Sequence, residues 1–111
     1  MTTNNMLGQE AIQSWFDEHA DECQREGFGI DLQLIIIGEH GAGGISFQSP
    51  RLLASIQIWT FPKNIDLTIQ HATLPSESKL EFYTYENLED ARIKLSDCFN
   101  QIKSFRDRGS N

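Results

Sequence analysis

The chain has 111 residues, 39% of them hydrophobic and 23% charged, which fits one globular domain with a single core and excludes a disordered or low-complexity chain. Sixteen Asp and Glu against nine Lys and Arg leave a formal charge of −7, the wrong sign for holding nucleic acid or an anionic membrane directly. Solubility alone would explain such a balance, but it also favours steered encounter with a basic protein. No run approaches the ~20 apolar residues that cross a bilayer, and Met1 to Gly8 lacks a basic stretch leading into an apolar one, so a cytoplasmic protein is expected. From about Gln9 to Glu26, Ile12, Trp15, Phe16, His19, Ala20 and Cys23 recur every three or four residues among Glu10, Asp17, Glu18, Asp21 and Glu22. This spacing predicts an amphipathic helix, stopped by Gly27 and Gly29.

Ile30 to Ile37 reads as a strand with Ile30, Leu32, Leu34 and Ile36 on one face and apolar Ile35 and Ile37 on the other, a pattern that suits the middle of a sheet. Gly38 to Gly44 reads as a flexible loop, Ile45 to Gln48 as a short strand, and Ser49-Pro50 as punctuation before the next strand. Leu52, Ala54, Ile56 and Ile58 share one face of a strand whose alternation sends Trp59 to the other. Phe61-Pro62-Lys63-Asn64 turns this strand into a second one, with Ile65, Leu67 and Ile69 on one face and Asp66, Thr68 and Gln70 on the other. After a loop from Leu74 to Ser78, Lys79 to Tyr85 alternates, Leu80 and Phe82 against Glu81, Tyr83 and Tyr85.

A last helix runs from about Asn87 to Asp107, with Leu88, Ala91, Leu95, Cys98, Phe99, Ile102 and Phe105 as its apolar stripe. Thr84 or Asn87 serves as its cap; Glu86, Glu89 and Asp90 suit its positive end and Arg106 and Arg108 its negative end. The order α-β-β-β-β-β-α has no helical crossover to force parallel pairing. The expected fold is therefore α+β: a five-stranded antiparallel meander with the N-terminal and C-terminal helices on one face. It forms a single domain over 1–111, with 1–8 and 107–111 as flexible tails.

Several chemistries can be weighed on their residues. The glycine-rich stretch Gly38-Glu39-His40-Gly41-Ala42-Gly43-Gly44 lacks the Gly-Lys-Ser/Thr ending of a phosphate cradle and leads into a strand rather than a helix. His19, His40 and His71 show no ligand spacing such as His-x-x-x-His, and His19 on an apolar helix face suits a local hydrogen bond at the edge of the core. Glu39 beside His40 is not preorganised as an acid–base pair on a loop. There is no Gly-x-Ser-x-Gly elbow, and Cys23 and Cys98 read as buried thiols of a reducing compartment. No catalytic, cofactor-binding or metal-binding residue is assigned, and an enzyme is not expected.

The face of the sheet turned away from the helices is expected to carry Gln57, Trp59, Asp66, Thr68, Gln70, Glu81, Tyr83 and Tyr85. Aromatics beside carboxylates suit a protein interface with a basic partner, although Trp59 and Tyr83 could instead pack across strands. The acidic helix face Asp17, Glu18, Asp21 and Glu22 is a secondary docking candidate, with plain solvated surface as its simpler explanation.

The Ser49-Pro50-Arg51-Leu52-Leu53 lead-in resembles that of small immunity proteins of bacterial contact-dependent inhibition and related polymorphic toxin systems. So do Ile56-Gln57-Ile58-Trp59 followed by Ile65-Asp66-Leu67, and Tyr83-Thr84-Tyr85-Glu86-Asn87-Leu88 ahead of the last helix. The strand ending in Trp followed by the Asp-Leu strand is similar to the family of TriTu immunity proteins, over Gln9 to Phe105. The resemblance implies a monomer that neutralises a cognate toxin domain one to one by covering its active site or substrate surface. The resemblance further implies that this toxin domain is basic, a ribonuclease or deoxyribonuclease. Two other classes remain open. One is an acidic secretion chaperone, which would be a homodimer with an apolar groove; the other is a ligand-binding or enzymatic domain with His40, Glu39 or His71 at the mouth of a cavity between sheet and helices.

Overall fold

The computed structural model describes residues 4–71 and 78–108. The elements follow the order α1 (Leu7–Arg25), β1 (Gly29–Ile37), β2 (His40–Ser49), β3 (Leu52–Ile58), β4 (Asn64–His71), β5 (Lys79–Thr84) and α2 (Leu88–Arg108). The five strands form one antiparallel sheet in sequence order. This is the expected α+β meander, preceded by one helix and followed by the other, with both in one core against the same face. Leu7 and Gly8 already belong to α1, and Asp107 and Arg108 still belong to α2, so those parts of the expected tails are helical. The expected loop from Leu74 lies, apart from Ser78, outside the described residues.

Register explains which side chains meet the helices. Ile45, Ile56 and Leu67 stand side by side on β2, β3 and β4, flanked by Phe47, Ala54 and Ile69 on one side and by Ile58 and Ile65 on the other. All of these are buried, and they pack against Ile12 and Trp15 of α1 and Leu95, Phe99 and Ile102 of α2. Phe47, Phe28, Trp15 and Phe99 join in edge and stacked contacts with centroids 5.7–6.0 Å apart. Cys23 and Cys98 are buried in the same layer. Burial pushes their thiols up, to about 11 and about 12, as it does for any group whose charged form would leave water.

Local chemistry sets the helix ends. Gly27 takes φ +92° after α1, the left-handed conformation that only glycine adopts without cost. Asn87 is the cap of α2: its side chain accepts from the Asp90 N–H at 2.8 Å while Asp90 accepts from the Glu86 N–H at 2.9 Å. At the far end Arg106 reaches across to the C-terminus of α1, donating to the Glu26 carbonyl and bonding its carboxylate at 3.0 Å. The first turn of α1 has no side-chain cap of its own. Thr60 supplies one from 52 residues away: its buried hydroxyl accepts from the Gly8 N–H at 2.8 Å and donates to the Gly41 carbonyl at 2.5 Å.

Three placements differ from the sequence expectation. The glycine stretch is strand rather than loop, because β1 and β2 are joined by Gly38 and Glu39 alone, with Gly38 at φ +63°. Gly41 and Gly43 lie under α1, where a Cβ at 41 would meet Met6 and Gln9 and a Cβ at 43 would sit 2.8 Å from Ile12. Glycine therefore serves close helix–sheet approach here. β1 lies at an edge of the sheet rather than in its middle, and Leu34, Ile35, Ile36 and Ile37 are exposed. The third is the phase of β5: Ile65 pairs with Tyr83 and Leu67 with Glu81, so Tyr83 and Glu81 face the helices while Leu80 and Phe82 face outward, 61% and 68% exposed.

Candidate functional site

The outward face of the sheet is covered by no described element, and Trp59 organises one corner of it. The residue follows β3 directly, and its backbone is held from three directions. Its N–H donates to the Asn64 carbonyl at 2.9 Å, its carbonyl accepts from the Tyr85 hydroxyl at 2.6 Å, and Gly8 of α1 approaches the same carbonyl closely enough that a Cβ there would lie about 3 Å from it. The indole is half-buried, and its Nε1–H donates to the Asp66 carboxylate at 3.1 Å. Across the strand lie Ala42 and Gly44 of β2, too small to fill the space.

Two hollows result, one on either side of the ring. One, of about 80 Å³, lies among Gln33, Ile35, Gly44, Gln57 and Trp59. The other, of about 100 Å³, lies among Ile37, His40, Thr60, Phe61 and Trp59, with the His40 and Phe61 rings 4.4 Å apart. Each is the size of one or two partner side-chain groups rather than of a cofactor, which needs some 300 Å³ or more. Farther along the same face the surface is polar, through Asp66, Ser55 and Thr68, and then apolar again at Leu80 and Phe82.

Of the residues expected on this face, Gln57, Trp59, Asp66, Thr68 and Gln70 are there. Glu81, Tyr83 and Tyr85 are not. The Tyr83 hydroxyl donates to Glu81 and accepts from Gln101 of α2 at 2.7 Å. Partial burial and the adjacent carboxylate raise the Tyr83 hydroxyl, while the hydrogen bond from Tyr83, helped by Lys79, lowers the Glu81 carboxyl. Tyr85 is buried in the core, which pushes its hydroxyl up to about 12. Ile35, Ile37, Phe61, Leu80 and Phe82 take their place. Ile35 and Ile37 were marked by their apolar character on the second face of β1. Phe82 was hidden by its own hydrophobicity, which reads as core.

The acidic face of α1 is engaged locally. Glu18 pairs with Arg92 of α2, Glu22 lies 3.3 Å from His19 Nδ1, Asp17 accepts from Gln13 at 2.9 Å, and Asp21 is exposed. His19 thus makes the local contact expected of it. The remaining histidines lie at opposite ends of the sheet, His40 opening β2 and His71 closing β4. Among the described residues no three His, Cys, Asp or Glu side chains gather as metal ligands, and no helix there is long and apolar enough to cross a membrane. The layer between sheet and helices, where a ligand cavity was conceivable, is filled by the core side chains. Comparison with models of known protein families, with curated proteins and with solved structures gives no match.

Proposed function

We propose that this chain is an immunity-type protein that binds and neutralises a basic toxin domain, a nuclease by the logic of charge, through the sheet face centred on Trp59. The observation that carries the reading is the state of Trp59: backbone fixed from the helix side, indole N–H oriented by Asp66, ring edge open between two shallow hollows. A preorganised aromatic in an apolar setting is the commonest anchor of a protein interface. The Asp66 carboxylate beside it and a net charge of −7 favour a partner built to hold a polyanion. The resemblance to contact-dependent-inhibition immunity proteins points the same way. Neutralising a toxin requires nanomolar binding or better, about −12 kcal/mol.

The test is genetic and biochemical together. The open reading frame upstream should encode an exported protein with a toxic C-terminal domain, and co-expression of this chain should restore growth against that domain. Trp59→Ala should abolish the rescue while the protein stays folded. An unrelated neighbour together with no rescue would end the proposal. Neutralisation, rather than oligomeric state, separates this reading from a secretion chaperone, which would carry its client without blocking toxicity.

A further inference from the structure

β1 is an edge strand with the sequence of a central one. Gln33-Leu34-Ile35-Ile36-Ile37 contains neither charge nor proline, its register with β2 is unbroken, and the four aliphatic side chains stand 41%, 46%, 58% and 47% exposed. Edge strands left open to water are normally short, charged, bulged or interrupted by proline. β5, the opposite edge, follows that rule with six residues and a Lys79–Glu81 ion pair at 3.0 Å. β1 has nine residues and no such protection from Gln33 to Ile37, and no other described element pairs with its open side.

We infer that this open side takes a second copy of the chain, β1 against β1 in antiparallel pairing, in place of the monomer expected from the sequence. The absence of charge along the run selects the occupant. A basic partner of the kind proposed for the Trp59 face meets no carboxylate along the run, since Asp31 and Glu39 lie beyond its two ends. A second copy presents the same uncharged strip along the run, with acidic residues only beyond its ends. Antiparallel pairing about a two-fold axis normal to the sheet is closed and self-complementary, and it keeps the helices of both copies on one side. Centred on Ile35, it sets Ile35 opposite itself and Leu34 opposite Ile36, each pair on one face. Asp31 then approaches the Glu39 of the other copy, so screening by salt strengthens the pair, whereas salt would weaken contact with a basic protein. A single paired edge is narrow beside the ~800 Å² per partner of a standard interface, so the pair is expected to be reversible on dilution.

Sedimentation equilibrium of the purified full chain over a dilution series, at low and high salt, tests this directly. A monomer–dimer equilibrium that shifts toward dimer with salt is expected, and Ile36→Lys, at a side chain outside the core, should leave a monomer with an unchanged circular dichroism spectrum. Ile35→Cys should cross-link to a covalent dimer with diamide as the oxidant, whereas Leu53→Cys, exposed on an inner strand, should not; the native cysteines are buried. A monomer at every concentration overturns the inference. So does an Ile36→Lys protein that dimerises like the parent, or equal cross-linking at positions 35 and 53. A monomeric parent whose binding to the toxin domain is lost in Ile36→Lys also overturns it, and assigns the edge to that other protein.

Discussion

Replacing Gly43 by alanine tests whether the glycines of β2 exist to let α1 approach. The added Cβ would lie 2.8 Å from Ile12 Cγ2, 3.0 Å from the Gln33 carbonyl oxygen and 3.1 Å from Leu34 Cδ2. Ile12 is fully buried and the Gln33 oxygen is β1 backbone, so neither yields; only Leu34, at the sheet edge, can turn aside. Overpacking of this kind costs ~1–3 kcal/mol, and the stiffer unfolded chain of alanine returns ~0.4–1 kcal/mol. The expected net is a destabilisation of about 1–2 kcal/mol, read as a lower urea midpoint at constant slope. Gly44→Ala is the internal control, because its Cβ points to the outer face, 3.2 Å from the Ile56 oxygen and 3.3 Å from Cγ of the exposed Gln57, which can move. Its stability should change by no more than ~0.5 kcal/mol. It fills the floor of the hollow beside Trp59, however, so toxin-domain binding should weaken. Equal urea midpoints for Gly43→Ala and the parent, or equal losses for both alanines, would refute the reasoning.

Trp59→Ala should lose ~2 kcal/mol or more of binding to the toxin domain by calorimetry with folding retained; a protein that unfolds without any selective binding defect would make Trp59 a packing residue instead. Thr60→Val removes the shared hydroxyl and strands the Gly8 N–H and the Gly41 carbonyl, for an expected loss of ~2 kcal/mol or more in denaturant unfolding; a neutral effect would show that water replaces it. The folded-state values of Cys23, Cys98 and Tyr85, about 11, about 12 and about 12, lie above their usual values of 9.0, 9.0 and 10.0. The folded protein therefore holds protons that the unfolded chain releases, so stability is full below pH 9 and falls between about pH 9 and 12, by at most ~1.4 kcal/mol per group per pH unit. Cys98→Ala should flatten the fall in melting temperature over that window, and a flat profile in the parent would contradict the assignment.

What could be read from the residues, and what could not, divides along the question of how far a pattern is local. The alternation of Leu52, Ala54, Ile56 and Ile58 fixed both the existence of β3 and the outward place of Trp59, because both faces of a strand are encoded in consecutive residues. Asn87 as the cap of α2 was legible for the same reason. The position of β1 in the sheet is not a local property: aliphatics on both faces suit a strand with two neighbours, and among the described residues it has one, β2. In β5, Leu80 and Phe82 outweigh Tyr83 and Glu81 in hydrophobicity, so the pattern pointed the wrong way. Pairing with β4 decides the phase, and Gln101 gives the Tyr83 hydroxyl a partner on the helix side. The glycines of β2 resembled a loop because the need for them arises from α1, some thirty residues earlier in the chain.

The Trp59 carbonyl and the Thr60 hydroxyl are where both helices are hydrogen-bonded to the end of β3, through Gly8 near the start of α1 and through Tyr85 just ahead of α2. Neither helix can lift away without freeing the carbonyl behind the indole or the hydroxyl next to it. A partner seated on the outer face therefore acts as a clamp on the opposite layer. Occupancy at Trp59 will slow amide exchange at Gly8, although no atom of the visitor touches that helix.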